Sequence, residues 1–358
     1  MDKIGDLGEF HEGIHTGNIR GKLFHRSKPQ FSDESKIKPC LIGNAYGDKF
    51  DRYYYFSNNN YVIYDSSIID KTNGEYASLR DENIFIGPKL YITRTGDDFV
   101  SFYDEKFYAS NNLFSFKFKS GEIMNNPHSY LFMNAILNSR FAQRCNRLFI
   151  APRFGKLFTE TKIIHLAMLP LRRINFTTPE DERACLVSDL KGLYAAGRLE
   201  DVLSRVEECL PKDSSGGFVT EREKSDVVHD LLAYLAEEMI EMNKEKQGEI
   251  RGFLDWLRGD MGAEVDDLSN KTKIQAYYQH GFSDLLKVLK TNKRKLKTDY
   301  SARKPQERLK EEFESSIATL TPLLARIRET DELIDQVVYK LYGLTEEEIT
   351  IIDNANAK

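Results

Sequence analysis

The chain is poor in the residues that metal, disulfide and redox chemistry draw on. Its four cysteines (Cys40, Cys145, Cys185 and Cys209) lie far apart with no CxxC pair. That argues against a zinc ribbon or a disulfide frame and for free thiols in a reducing compartment. Seven histidines show no ligand spacing, so no metal site is expected. No apolar run approaches membrane-spanning length, and the opening MDKIGDLGEFHEG has no apolar core of a secretory signal. No membrane partner is expected, and the cytoplasm is the expected location. The Gly-punctuated turn at residues 13–18 is not followed by the Lys-Ser/Thr of a phosphate-binding loop. No Ser/His/Asp or Cys/His arrangement stands out.

What is present is charge, unevenly distributed. The net charge of −5 conceals a front half, through Thr178, with 24 Lys and Arg against 19 Asp and Glu. The remainder carries 27 against 37. A basic half beside an acidic half suits a chain that touches a polyanion on one side only; chance composition is the plainer alternative. The basic excess is concentrated in residues 140–173, where eight Lys or Arg meet one acid, Glu160. Phe149, Phe154 and Phe158 interleave with them, as on a nucleic-acid surface, although a solvated helix and loop would read the same way.

The pattern also divides the chain. In residues 86–118, Leu90 and Ile92, then Phe99, Ser101 and Tyr103, alternate across a Gly96-Asp97-Asp98 turn, predicting an antiparallel strand pair. Residues 53–56 and 61–64, either side of Ser57-Asn58-Asn59-Asn60, predict a β-hairpin. Leu131, Ala135, Leu137 and Phe141 predict one helix over about 130–145, with Arg140 and Arg144 on one face. From Thr178, expected to cap a helix before Pro179, the pattern is helical to the end. It includes an apolar face at 227–240, a shorter helix at 250–257, and a long helix at 309–327 that Pro322 should kink or split. Asp331 is expected to cap a helix that Gly343 stops, and Thr345 with Glu348 forms a capping box for a last one. The expected fold class is α+β: a β-rich domain at 1–178 followed by an all-helical domain at 179–358.

Several of these stretches, in order, carry a resemblance. Arg94-Thr95-Gly96, Leu137-Asn138-Ser139, Phe154-Gly155-Lys156, Lys162-Ile163 and Leu169-Pro170 together resemble the TaqI-like C-terminal specificity domain of adenine-specific DNA methyltransferases and restriction-modification enzymes. Gly13-Ile14-His15-Thr16-Gly17-Asn18 looks like the entrance to such domains. The tail at 331–353 is similar to that of large single-chain type II restriction-modification methyltransferases. The resemblance covers most of residues 7–352, with 210–297 matching only in character.

The resemblance implies a DNA target-recognition domain whose partners are double-stranded DNA and a methyltransferase catalytic domain or subunit. It implies base reading by Arg94 and Thr95 at a strand end, and phosphate binding by Arg140, Arg144, Arg153, Lys156 and Lys162. S-adenosylmethionine is implied for the whole enzyme, but no cofactor is expected to bind this chain. An adenine methyltransferase needs an Asn/Asp-Pro-Pro-aromatic tetrad at the flipped base. Asn126-Pro127-His128-Ser129-Tyr130 lacks the second proline, and no paired acids precede the Glu-x-Lys of a nuclease core. No catalytic residue is therefore assigned. A type I-like specificity subunit remains open, although no internal repeat is evident, as does a helical protein-interaction scaffold without DNA affinity. Calorimetric titration of the chain with S-adenosylmethionine is expected to show no binding; a micromolar isotherm would overturn the reading that catalysis lies elsewhere.

Overall fold

The computed structural model describes residues 2–96, 98–122, 124–149 and 160–356. It is α+β, with the strands in the first half and helices dominating the second. The longer strands are β1 (Gly8–Glu12), β2 (Ile37–Leu41), β3 (Lys49–Asp51), β4 (Tyr54–Phe56), β5 (Tyr61–Ile63), β6 (Lys89–Thr93), β7 (Ser101–Asp104) and β8 (Leu113–Phe118). One sheet has the order β1-β8-β6-β7, all antiparallel, with Glu12 opposite Phe114 and Tyr91 opposite Phe102. The β6–β7 pair is the one that the alternation around Gly96 predicts. A second sheet places β2 between β5 and the two-residue strand Tyr108–Ala109, with Phe24–His25 outside β5. Tyr91, Phe102, Cys40, Leu41 and Leu113 are buried in one core between these elements, and Phe50 stacks on Phe102 at 5.4 Å.

The hairpin expected over 53–64 does not form. β4 pairs instead with β3, across a tight turn at Arg52 and Tyr53 (φ +65°), while β5 pairs with β2 and Phe24–His25. Residues 57–60 are pinned elsewhere: Asn58 Nδ2 donates to the Tyr46 carbonyl at 3.0 Å and Asn60 Nδ2 to Asp48 Oδ1 at 2.8 Å. Asparagine side chains that bind distant groups make this stretch a crossing strap, not a turn.

The longer helices are α1 (Pro127–Asn138), α2 (Arg140–Phe149), α3 (Glu180–Ala195), α4 (Leu199–Cys209), α5 (Ser225–Met261), α6 (Phe282–Thr291), α7 (Arg303–Tyr342) and α8 (Glu346–Asn356). Asn126 caps α1 by accepting the Ser129 amide at 3.0 Å, and Pro127 takes the first helical position, so this Asn-Pro pair is a helix start. The single helix expected over 130–145 is broken at Ser139 (φ −69°, ψ 153°), whose hydroxyl accepts the Ala142 amide at 3.3 Å and opens α2. Asn138, the last residue of α1, exchanges two hydrogen bonds with the backbone of Ser101 at the edge of β7 (2.8 and 3.0 Å). It occupies strand-edge groups that a neighbouring strand would otherwise pair.

Other local expectations are corrected in the helical half. Thr178 does not cap α3: its amide and hydroxyl both go to Asp226, at 2.8 and 2.6 Å. The segments at 227–240 and 250–257 belong to one continuous helix, α5. Pro322 does not split α7, and the Thr321 hydroxyl binds the Ile317 carbonyl at 2.7 Å just before it. Asp331 lies inside α7, not at its start. The ending is as expected: Gly343 follows α7 at φ +68°, and Thr345 and Glu348 exchange side-chain-to-amide bonds ahead of α8.

The chain divides into two compact units, Met1–Glu238 with Asp331–Lys358, and Met239–Thr330. The change from strands to helices falls near 171–180, whereas this division falls within α5 and α7. The second unit has its own core, in which Phe253 stacks on Tyr277 at 4.0 Å among Leu257, Leu289, Leu309 and Phe313. Among the described residues no helix is long and apolar enough to cross a membrane.

In the first unit the sheet core encloses an ion pair. Lys89 Nζ lies 2.7 Å from Asp104 Oδ2, both side chains being buried. Asp104 also accepts the Tyr55 hydroxyl at 2.7 Å and the amides of Lys106 and Phe107. Burial pushes the Lys89 ammonium down, and Asp104 opposes the shift. Lys89→Ala would leave a buried carboxylate without its counter-charge, so it should cost about 3–5 kcal/mol of stability. Chemical denaturation would show this as a lowered midpoint with an unchanged slope.

Candidate functional site

Arg94 follows β6 and is fixed through its backbone on both sides. Its amide donates to the Asn112 carbonyl at 3.1 Å, and its carbonyl accepts the Thr161 amide at 2.9 Å. The guanidinium is held by Glu160, reaches Glu12 at 3.4 Å and lies over the Phe114 ring at 5.8 Å. Glu12 is shared with Arg80 at 2.7 Å. The result is a half-buried row of alternating charge, Arg80–Glu12–Arg94–Glu160, which orients Arg94 without enclosing it. Thr95, the next residue, is exposed and lines a recess of about 380 Å³ together with Asn44, Thr93, Asp98 and Asn112. Beside the Asp98 carboxylate, which pairs with Arg147, these groups offer amides and hydroxyls in a concave surface, the chemistry that reads hydrogen-bonding edges.

Among the described residues the basic segment does not form one continuous strip. Arg140 is neutralised within the chain: its guanidinium contacts Glu332 at 2.5 Å, Asp335 at 3.1 Å and Asp353 at 3.3 Å, and its amide donates to Asp335 Oδ1 at 2.8 Å. Arg147 pairs with Asp98 at 2.5 Å, Arg172 with Glu223 at 2.5 Å and Arg173 with Asp2 at 2.8 Å. Arg144 is half-buried on α2, and its Nε has no hydrogen-bond partner among the described residues. Lys162 is exposed just before the short helix Ile163–Ala167. Arg153 and Lys156, with Phe154 and Phe158, lie outside the described residues. Of the proposed contacts, the structure brings Arg94 and Thr95 to one surface and ties up Arg140, which is as exposed as Arg94, in ion pairs with three carboxylates.

Around Arg140 the acids are crowded. Arg52 binds Asp331 at 2.8 Å and the Asn138 carbonyl at 3.3 Å, one helical turn from Asp335. Burial pushes the Asp335 carboxyl up to about 7; the Arg140 amide opposes the shift, the charge of Asp331 adds to it, and the two guanidiniums oppose it. Burial prevails over the ion pair because Arg140 divides its charge among three carboxylates, and its Nε meets Asp335 Oδ2 without hydrogen-bond geometry.

A Ser-His-Asp relay is assembled in space that sequence spacing does not reveal. His229 Nδ1 lies 2.7 Å from Asp230 Oδ1, and its Nε2 lies 3.0 Å from Ser129 Oγ. The Asp230 carboxylate fixes the proton on Nδ1, leaving Nε2 to accept from the serine hydroxyl. Ser129 is fully buried in the first turn of α1, and the imidazole sits between Phe132 and Phe176, at 4.6 and 5.1 Å. A hydroxyl so enclosed reaches no substrate; the relay is a buried tie between α1 and the start of α5. Burial pushes the His229 pKa down, as suits a neutral ring.

Residues 45–171 match the family model of the TaqI-like C-terminal specificity domain, which supports target recognition on DNA in restriction-modification enzymes. Residues 225–338 match a second family, a domain of unknown function (DUF8810). No curated protein matches the chain. The recess beside Thr95 and the loop at 43–47 that borders it were not apparent from charge or periodicity; the available signal was the Gly43/Gly47 bracket.

The raised Asp335 pKa makes stability depend on pH. The folded chain holds the proton more tightly than the unfolded chain, where the group titrates near 3.8. This contribution is complete below 3.8 and is lost as pH rises through about 7. Thermal melting should therefore show Asp335→Asn gaining on the wild type across that interval, since asparagine keeps the acceptor for the Arg140 amide and never ionises. A gap independent of pH would contradict this.

Proposed function

We propose that this chain is the DNA-reading part of a restriction-modification system of the N6-adenine methyltransferase type, acting in the cytoplasm in phage defence. It selects a duplex sequence and holds it for methylation, and in a nuclease-bearing system for cleavage, by a catalytic domain or subunit that is a separate part of the assembly. S-adenosylmethionine belongs to that catalytic part. The observation that carries this reading is the specificity-domain match over the strand-rich fold that displays Arg94 and Thr95 on one surface. In this reading Arg94 and Thr95 contact base edges, while Lys162, with Arg153 and Lys156, contacts phosphates. Arg140 acts as an internal anchor, and Arg144, half-buried, has a minor part in phosphate binding.

Fluorescence anisotropy of the full chain against duplex DNA tests the proposal. Changing Arg153, Lys156 and Lys162 together to Ala should weaken binding to all duplexes alike and flatten the slope of log K against log salt by roughly two to three units, at about 0.9 per phosphate. Arg94→Ala should instead reduce discrimination, costing about 1–3 kcal/mol for the preferred site and little for others. Lys290, Lys293 and Lys295, in the second compact unit, provide the control when changed to Ala. A control variant that loses DNA while the triple variant keeps it would assign the interface to the other half.

A further inference from the structure

The loop at 43–47 is tied from within by a single buried carboxylate. Asp48 is fully buried. Its Oδ2 accepts the amides of Ile42 at 2.6 Å and Gly43 at 2.9 Å; its Oδ1 accepts the Asn58 amide at 2.9 Å and Asn60 Nδ2 at 2.8 Å. Four charge-assisted bonds satisfy the buried charge, close the loop on its own start and fix it to the 58–60 stretch. The Tyr46 carbonyl accepts from Asn58 and Asn60, at 3.0 and 3.2 Å. Gly43 (φ +122°) and Gly47 (φ +86°) take conformations that side chains disfavour, and a Cβ on Gly47 would stand 2.8 Å from Asn58 Nδ2.

What the loop leaves outside is polar and cationic. Asn44 and Ala45 are exposed, and the Asn44 amide makes no hydrogen bond among the described residues while lining the recess beside Thr95. The Tyr46 ring holds two guanidiniums, Arg20 at 5.0 Å and Arg26 at 5.1 Å. Arg26 also donates to the Ala45 carbonyl at 2.8 Å, and Arg20 Nε reaches the Tyr46 hydroxyl at 3.4 Å. Both arginines are exposed, and among the described residues neither meets a carboxylate, unlike Arg94, Arg140 and Arg147. Stacking on a tyrosine holds each charge in place, and each guanidinium, with one donor engaged on the loop, keeps further donors for a ligand.

We propose that the 43–47 loop is a second contact element for double-stranded DNA, in which Arg20 and Arg26 bind phosphates and the Asn44 amide reads a base edge next to Thr95. An asparagine amide presents a donor and an acceptor together, matching the N6 and N7 groups of adenine in the major groove. The proposal rests on the DNA-reading function above.

The test uses the full chain, a pool of random-sequence duplexes and the preferred duplex that the wild type selects from it. Arg20→Ala with Arg26→Ala should flatten the salt slope by about 1.8, whereas the paired Lys substitutions should keep it. Asn44→Ala should lower the preference for the selected duplex about tenfold and leave binding to the pool unchanged. Phenylglyoxal labelling of the wild type, read by mass spectrometry, should show Arg20 and Arg26 protected by DNA, which covers the case of an alanine variant that does not fold. Wild-type binding with an unchanged slope in the folded Ala variant, or with both arginines labelled equally with and without DNA, would overturn this inference and leave the DNA-reading function intact. A wild type that binds no duplex would overturn both.

Discussion

The first compact unit depends on an arginine–carboxylate junction. Arg52, in the β3–β4 turn, and Arg140, which opens α2, meet Asp331, Glu332 and Asp335 on α7 and Asp353 on α8. Around it, the Phe141 ring lies 4.4 Å from that of Tyr342, the Tyr342 hydroxyl reaches the Pro170 carbonyl at 3.1 Å, and Arg172 donates to the Leu341 carbonyl at 2.5 Å. Only the Asp335 carboxyl is buried; its Oδ1 accepts the Arg140 amide, and the other charges of the junction are part-exposed and come from four separate stretches of chain. The junction joins the strand-rich half and the last helices of the chain into one unit.

That junction explains why charge counting along the sequence located the interface only coarsely. The excess of cations at 140–173 is real, but the acids that neutralise several of them lie at the far end of the chain or before the segment. Arg140 looks to residues 332–353, Arg147 to Asp98 and Arg173 to Asp2. A basic stretch can therefore be a docking face for the protein's own acidic tail. Arg20 and Arg26, which meet no carboxylate among the described residues, stand in a short basic stretch without an acid between Glu12 and Asp33, and the fold brings both to Tyr46.

Elements whose signals are local were legible in the sequence. The β6–β7 pair, the Gly343 stop and the Thr345–Glu348 capping box all depend on residues within a few positions of one another. Misreadings arose where a side chain answered to a distant partner. Thr178 binds Asp226 in place of its own helix, Asn58 and Asn60 bind Tyr46 and Asp48 in place of a hairpin turn, and Ser139 divides what periodicity reads as one helix. The resemblance to a specificity domain survived these errors because it rested on the order of short motifs, which a change of strand pairing does not disturb.

The junction also sets an order of events during synthesis. Arg52 and Asp331 are separated by 279 positions, and all of the second compact unit is made between Glu238 and Asp331. At the ribosome's usual pace of about 5–20 residues per second, Arg52 is made roughly 14–56 s before its partner exists. Through that interval the strand-rich half carries cations whose intended neighbours have not been made, while the inserted unit can already close its own core. A nascent chain of this design completes its inserted unit first, so the half that is made first is finished only when residues 331–353 have been made.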